Sequence, residues 1–278
     1  MRTIQNPFSI YDFLGYLVPG IILAIGVIVT SSFDQISPDL QTFLKKAFSG
    51  ISIELYLPAL IICYLAGHLV SYLSSITVER YSVWTIGYPS AYMLKRKPES
   101  YFHSEDKGII RIITIAKRLF IAIFLLPIVT LDLLLGILLR FRKQQAKVLD
   151  DHLIATVEAS IKPIIDVVID KANTNQQHDF FRIVYHYVLE KCSNHVPKMQ
   201  NYVALYGFLR TTCLIFVVFS WILLYNAIRS GTFVRFTFPI VLVSLTSYIL
   251  YLDFNKFYRK FSLEVFMAAS AIVLRNSV

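Results

Sequence analysis

Residues 119–139, LFIAIFLLPIVTLDLLLGILL, decide how the chain is read. They carry one charge, Asp132, between the basic flanks Lys117-Arg118 and Arg140-Phe141-Arg142-Lys143. A helix needs about 20 apolar residues to cross the hydrocarbon of a bilayer, and this stretch has the length. Two of its residues argue against a plain crossing. Pro127 interrupts the helical hydrogen-bond ladder. Asp132 is costly in lipid unless it faces protein or water. Three readings fit: a re-entrant hairpin or pair of half-helices, a buried core helix of a soluble domain or an oligomer, or an ordinary fifth span.

Working outward, four further apolar runs have spanning length: Phe13 to Ser31, Leu55 to Ser75, Val203 to Ile228 and Phe233 to Leu252. Charge decides among the topologies. Segment 76–118 carries Arg80, Lys95, Arg96, Lys97, Lys107, Arg111, Lys117 and Arg118, and the tail carries Lys256, Arg259 and Lys260. A fifth crossing at 119–139 would put its two basic flanks on opposite sides, against the positive-inside rule. Four crossings are therefore expected, with 33–50 and a short turn near Gly231 outside. Both termini and 76–202 then lie in the cytoplasm; Arg229 and Arg235 at the short turn run against the bias. This divides the chain into a transmembrane hairpin (1–75), a basic helical cytoplasmic domain (76–202), and a second hairpin with a helical extension (203–278).

Composition agrees. Of 278 residues, 56% are hydrophobic, above the roughly 45–50% of soluble proteins, and the mean hydropathy is clearly positive. Lipid is the simplest solvent for the excess, since a soluble core of this size cannot hide it. The first run is too long for a cleavable signal and reads as an uncleaved helix of an inner-membrane protein. Three cysteines without a CxxC pair suggest neither a disulfide framework nor a metal site.

The expected fold class is all-α: a multi-pass helical membrane protein with a helical cytoplasmic domain. Val148, Leu153, Val157, Ile161, Ile164 and Val168 recur at helical spacing, and Phe181, Val184, Tyr187 and Val188 form a second stripe. Residues 173–177 are a polar connector, and Asn194-His195-Val196-Pro197 ends the second helix. The last span has no breaker after Leu252 and should run on. Its apolar end, 262–274, needs covering and suggests self-association.

Two polar residues within the apolar runs are pore candidates. His68 shares a helix face with Tyr64, Ser71 and Tyr72; a helix–helix hydrogen bond is its structural alternative. Asp132 would form a ring in a homo-oligomer, a known route to cation selection; its alternative is a bond to a nearby Arg. Asp12 and Asp253 sit at span ends, where interfacial water explains them. Lys95, Arg96 and Lys97 are interleaved with Tyr92 and Tyr101-Phe102-His103, as in sites that stack bases and neutralise phosphates. Lys107, Arg111 and Arg118 extend that candidate ligand surface; a solvated patch beside anionic lipid is the plainer reading. His186 and Glu190 could share a metal but are two ligands where a closed zinc site needs four. No Walker loop, nucleophile elbow or zinc-protease motif occurs, so no catalytic residue, metal or cofactor is assigned.

The opening Asn6-Pro7-Phe8 with Tyr11-Asp12-Phe13-Leu14-Gly15-Tyr16-Leu17-Val18-Pro19-Gly20, and the exit Phe257-Tyr258-Arg259-Lys260-Phe261-Ser262-Leu263-Glu264-Val265, resemble small multi-pass membrane effectors of bacterial antiphage defence operons, the Hailong type in particular. The similarity covers about a tenth of the chain and assigns no residue in 76–200. It implies a homo-oligomeric, tetrameric channel. Its gate would be controlled by an oligonucleotide from a partner nucleotidyltransferase. The resulting expectation is an oligomeric ligand-gated pore in the lipid bilayer, with a basic domain sensing a nucleotide or oligonucleotide. A non-conducting scaffold that recruits a soluble partner is the second expectation, and an intramembrane or lipid-modifying enzyme the third.

Overall fold

The computed structural model describes residues 12–33, 43, 45, 53–96, 108–169 and 180–276. Among these every regular element is helical, as expected from sequence. The connector 173–177, the candidate ligand residues Lys97 and Lys107, and most of the 33–50 loop lie outside the described residues.

Among the described residues four helices are long and apolar enough to cross a membrane. The first, α1 (Phe13–Ser31), opens on a π-helical turn, Phe13–Leu17. It packs against α2 (Ile53–Ile76), and two glycines set the distance between them. A Cβ on Gly20 would overlap the Cys63 carbonyl, and one on Gly67 would overlap that of Tyr16. Small residues at such contacts let backbones meet where lipid provides no hydrophobic drive. Much of the rest of α2 is bare: Leu57, Ile62, Leu65 and Leu69 are all more than half exposed.

The other two helices of spanning length, α10 (Val196–Ser230) and α11 (Phe233–Asn276), form the antiparallel spine. The turn between them is tight because Gly231 takes a left-handed conformation, φ 67°. At 1.5 Å per residue they are about 50 and 65 Å long, well beyond the ~30 Å of a hydrocarbon core. The surplus lies at the end away from Gly231. There α8 (Asp151–Ile169) and α9 (Phe180–Lys191) cover α11. Val157, Ile161 and Ile164 of α8 and Val184 and Val188 of α9 are buried in one cluster with Val265, Phe266, Ala269 and Ile272 of α11. Leu153 to Ile164 of the first predicted stripe and all of the second therefore pack, whereas Val148 precedes α8 and is exposed, and the Val168 side chain lies outside the described residues. As far as Ile272, the apolar end of α11 finds cover inside the same chain.

Between α2 and α8 the chain makes short pieces: α3 (Val78–Thr85), α4 (Pro89–Tyr92), α5 (Ile109–Phe124), α6 (Leu126–Leu138) and α7 (Phe141–Gln145). The deciding stretch 119–139 is thus no straight span. It belongs to two helices, α5 and α6, that meet at 84°. The break falls at Leu125, where Pro127 starts the second helix and its missing N–H is no loss. Nor is the stretch a buried core helix within this chain, because Phe120, Ile123, Leu133, Leu134 and Leu138 are exposed.

Candidate functional site

The heights of the elements along the spine follow from its contacts. Cys213 Sγ lies 3.3 Å from the Ser247 carbonyl and the Ser220 hydroxyl 3.3 Å from the Ser244 hydroxyl, so Trp221 is level with the middle of the 233–252 run. The tip of the α5–α6 bend is tied there. Trp221 donates its indole N–H to the Phe124 carbonyl at 2.8 Å. The α6 foot of the bend lies near Leu252, while α5 meets α3 midway along its length. After α6, Gln145 donates to the Leu252 carbonyl at 3.3 Å, and Arg259 donates to that of Lys147 at 3.1 Å. On the other arm, Arg118 sits 4.9 Å over the Trp84 ring of α3, and Ser82 of α3 is bonded to Asn255 of α11.

Helix α3 is the hub of this end. It starts where Thr77 breaks α2, and its polar residues reach three different helices. Glu79 forms an ion pair with Arg210 of α10, whose Nε also donates to Ser74 Oγ at 3.1 Å. Tyr81 donates its hydroxyl to Asp132 of α6 at 2.9 Å. Ser82 donates to the Asn255 side chain, and the Thr85 hydroxyl lies 3.4 Å from that of Tyr251.

Asp132 is the charged centre. It is 1% exposed and takes Arg142 through both carboxylate oxygens, Nε lying 3.1 and 3.0 Å away and Nη2 closer still. Burial works against the Arg142 charge. Asp132 outweighs it as acceptor and counter-ion, so the guanidinium is held above its ordinary pKa. The π-helical turn Asp132–Leu138 brings the carboxylate over Gly136, where any Cβ would collide with it. Such turns are frequent at functional sites. Nearby on α11, the buried Tyr248 hydroxyl has no hydrogen-bond partner among the described residues.

The sequence candidates are scattered around this hub. Asp132 belongs to it, bound to an Arg and turned inward. His68 stacks on Tyr16 at 3.6 Å between ring centroids, with Tyr64 edge-on at 4.6 Å. It is therefore part of the α1–α2 contact. Lys95 pairs with Asp151, and Arg96 lies 4.3 Å over the Phe180 ring. Arg111 is exposed on α5, whereas Arg118 is buried on Trp84. These cations do not converge on one pocket. Among the described residues no group of three metal-binding side chains forms, so His186 and Glu190 gain no third ligand.

Sequence reasoning misses Arg210, Glu79, Tyr81 and Asn255. Arg210 had a readable signal: it is the one charged residue between Val203 and Ile228, where an ionisable group is a functional candidate by default. The others sit at run ends and look like ordinary boundary residues.

The class that fold and site define is an all-helical protein with four helices able to cross a membrane and a fifth apolar element broken at 84°. Comparison with protein-family models, with curated proteins and with solved structures finds no match to the chain.

Proposed function

We propose that the chain crosses the inner membrane four times, dips into it once through the α5–α6 bend, and assembles into a ligand-gated pore. The bend carries the reading. Its tip is held level with the middle of the last span, its α6 arm returns to the hub at Leu252, and its α5 arm meets the hub at Arg118. Its two arms expose aliphatic and aromatic side chains. Its tip is compatible with lipid because the Phe124 carbonyl is already bonded by Trp221, and lipid tolerates no unpaired backbone group.

Orientation follows from charge. Arg80, Arg142, Lys147, Lys256, Arg259 and Lys260 cluster around the Leu252 end, against Arg229 and Arg235 beside Gly231. The positive-inside rule makes the Leu252 end cytoplasmic, and with it α8 and α9. The hub then joins the bend to the cytoplasmic helices, so a change in α8 and α9 reaches Asp132 through α11 and α3. Lys95 and Arg96, at the α4 exit beside α8 and α9, are the anion-binding edge. The resemblance to antiphage effectors makes an oligonucleotide the ligand to test first. Gating requires that it bind open and closed states with different affinity.

A second reading, a non-conducting scaffold, is favoured by the closed ion pairs: Asp132 and Glu79 both spend their charge inside the chain. Purified protein in planar bilayers separates the two. The pore reading expects unitary currents that change with added oligonucleotide, a response weakened by salt as phosphate contacts are. A bilayer silent under all ligands overturns it in favour of the scaffold.

A further inference from the structure

A crevice of about 540 Å³ opens beside Trp221, within the range of small-ligand sites. One wall is a stripe of α10: Val218, Trp221, Ile222, Tyr225, Asn226 and Arg229. Their spacing of three and four puts them on one helix face. Along that face the chemistry changes from aliphatic and aromatic to amide and then guanidinium, over about 16 Å at 1.5 Å per residue. The gradient ends two residues before Gly231, where α10 stops. Phe124, at the tip of the α5–α6 bend, lines the opposite side.

Two of the polar groups are already committed. The Trp221 indole N–H serves Phe124, and the Asn226 amide donates to the Thr30 carbonyl at 2.8 Å. They fix the walls. Arg229 is different: it is exposed, and no carboxylate pairs with it among the described residues. An apolar slot whose surface end carries a cation, with no described carboxylate paired to it, matches an amphiphile with an anionic head.

We propose that this crevice holds an anionic phospholipid from the leaflet at the Gly231 end, one acyl chain along Val218, Trp221 and Phe124 and the phosphate on Arg229. This rests on the four helices spanning a bilayer, and is independent of whether the protein conducts. The bound chain would press on the tip of the bend, so lipid composition would bear on the element that defines the fold.

Trp221 reports directly. The chain has two tryptophans, so Trp84→Phe leaves Trp221 as the only indole. That protein is reconstituted with phospholipids brominated on the acyl chain, either phosphatidylglycerol or phosphatidylcholine. Brominated phosphatidylglycerol should quench Trp221 at a several-fold lower mole fraction than the zwitterionic lipid. Arg229→Gln should bring the two curves together, and millimolar inorganic phosphate should move neither. Equal quenching by the two lipids, a preference that survives Arg229→Gln, or one abolished by free phosphate would each overturn the lipid site. Native mass spectrometry of the otherwise unaltered chain gives a reading without Trp84→Phe. It should show a retained phosphatidylglycerol that Arg229→Gln loses, and no retained lipid counts against the site. A chain that will not enter vesicles at all refutes the site together with the four crossings.

Discussion

The two ends of the spine are built on different physics. Among the described residues around Gly231 the helices are held chiefly by shape: a tight turn, two tilted aromatic rings (Phe33 and Phe236, 5.4 Å) with Arg235 6.0 Å over the first, and a few single hydrogen bonds such as Asn226 to Thr30. An open crevice remains there. Around Leu252 they are held by charge and by a packed core. Two ion pairs grip α3 or its neighbours, and α8 and α9 seal the end of α11. Shape contacts between spans cost nothing to separate in lipid beyond their own packing. Buried charges cannot be separated without leaving one of them unpaired. The Leu252 end is therefore the one built to resist sliding, and the Gly231 end the one able to respond to its surroundings.

The largest test of that contrast removes one half of the Asp132–Arg142 pair. Arg142→Leu leaves a carboxylate that is 1% exposed and keeps, among the described residues, the Tyr81 hydroxyl as its hydrogen-bond donor. The expected loss is about 3–5 kcal/mol of unfolding free energy in mixed micelles. Asp132→Leu with Arg142→Leu should recover most of it, because replacing both members by apolar residues is often neutral. A double variant as unstable as the single would mean that Asp132 matters through its bonds to α3 rather than as a balanced charge. A double variant that is stable but no longer conducts would assign the pair to gating.

How much of this is legible in the sequence depends on the medium. The four candidate spans are readable because each is an apolar run of the length a bilayer requires. The stripes of α8 and α9 are readable because helical periodicity survives wherever one face is packed. Pro127 and Asp132 mark 119–139 as irregular, and the bend at Leu125 lies two residues before the proline. The hub is not readable. Its members, Glu79, Tyr81, Arg142, Arg210 and Asn255, come from four separate stretches, and their partnership exists only once α3 is folded against α6, α10 and α11. The surroundings of the basic residues are equally illegible: Lys95 and Arg96, neighbours in sequence, take separate partners on α8 and α9.

An intermediate effect is expected on the side held by shape. Gly67→Leu inserts a side chain where even a Cβ meets the Tyr16 carbonyl. The contact is backbone on backbone, so neither side can yield by changing rotamer, and α1 must move off α2. Overpacking of this kind costs about 1–3 kcal/mol. A disulfide probe between α1 and α2, or the His68–Tyr16 stacking seen by ring-current shifts, should report the separation. The α3 hub should be undisturbed, with Arg142→Leu costing the same in either background, since distant sites add. Non-additivity would show that the two ends are coupled through α2.

The smallest effect is also the most informative about the hub's interior. Tyr248 is 2% exposed, and its hydroxyl has no hydrogen-bond partner among the described residues, although Tyr251 stacks beside it at 6.3 Å and itself approaches Thr85. A buried hydroxyl without a partner carries its full desolvation cost, and deleting it removes that cost. Tyr248→Phe should therefore hold or raise stability, by up to about 1 kcal/mol, with the ring packing retained. A loss of similar size would mean that the hydroxyl is satisfied by a water held within the hub. In that case the charged end of the spine is wet, and Asp132 would have a route to solvent that its ion pair with Arg142 otherwise closes.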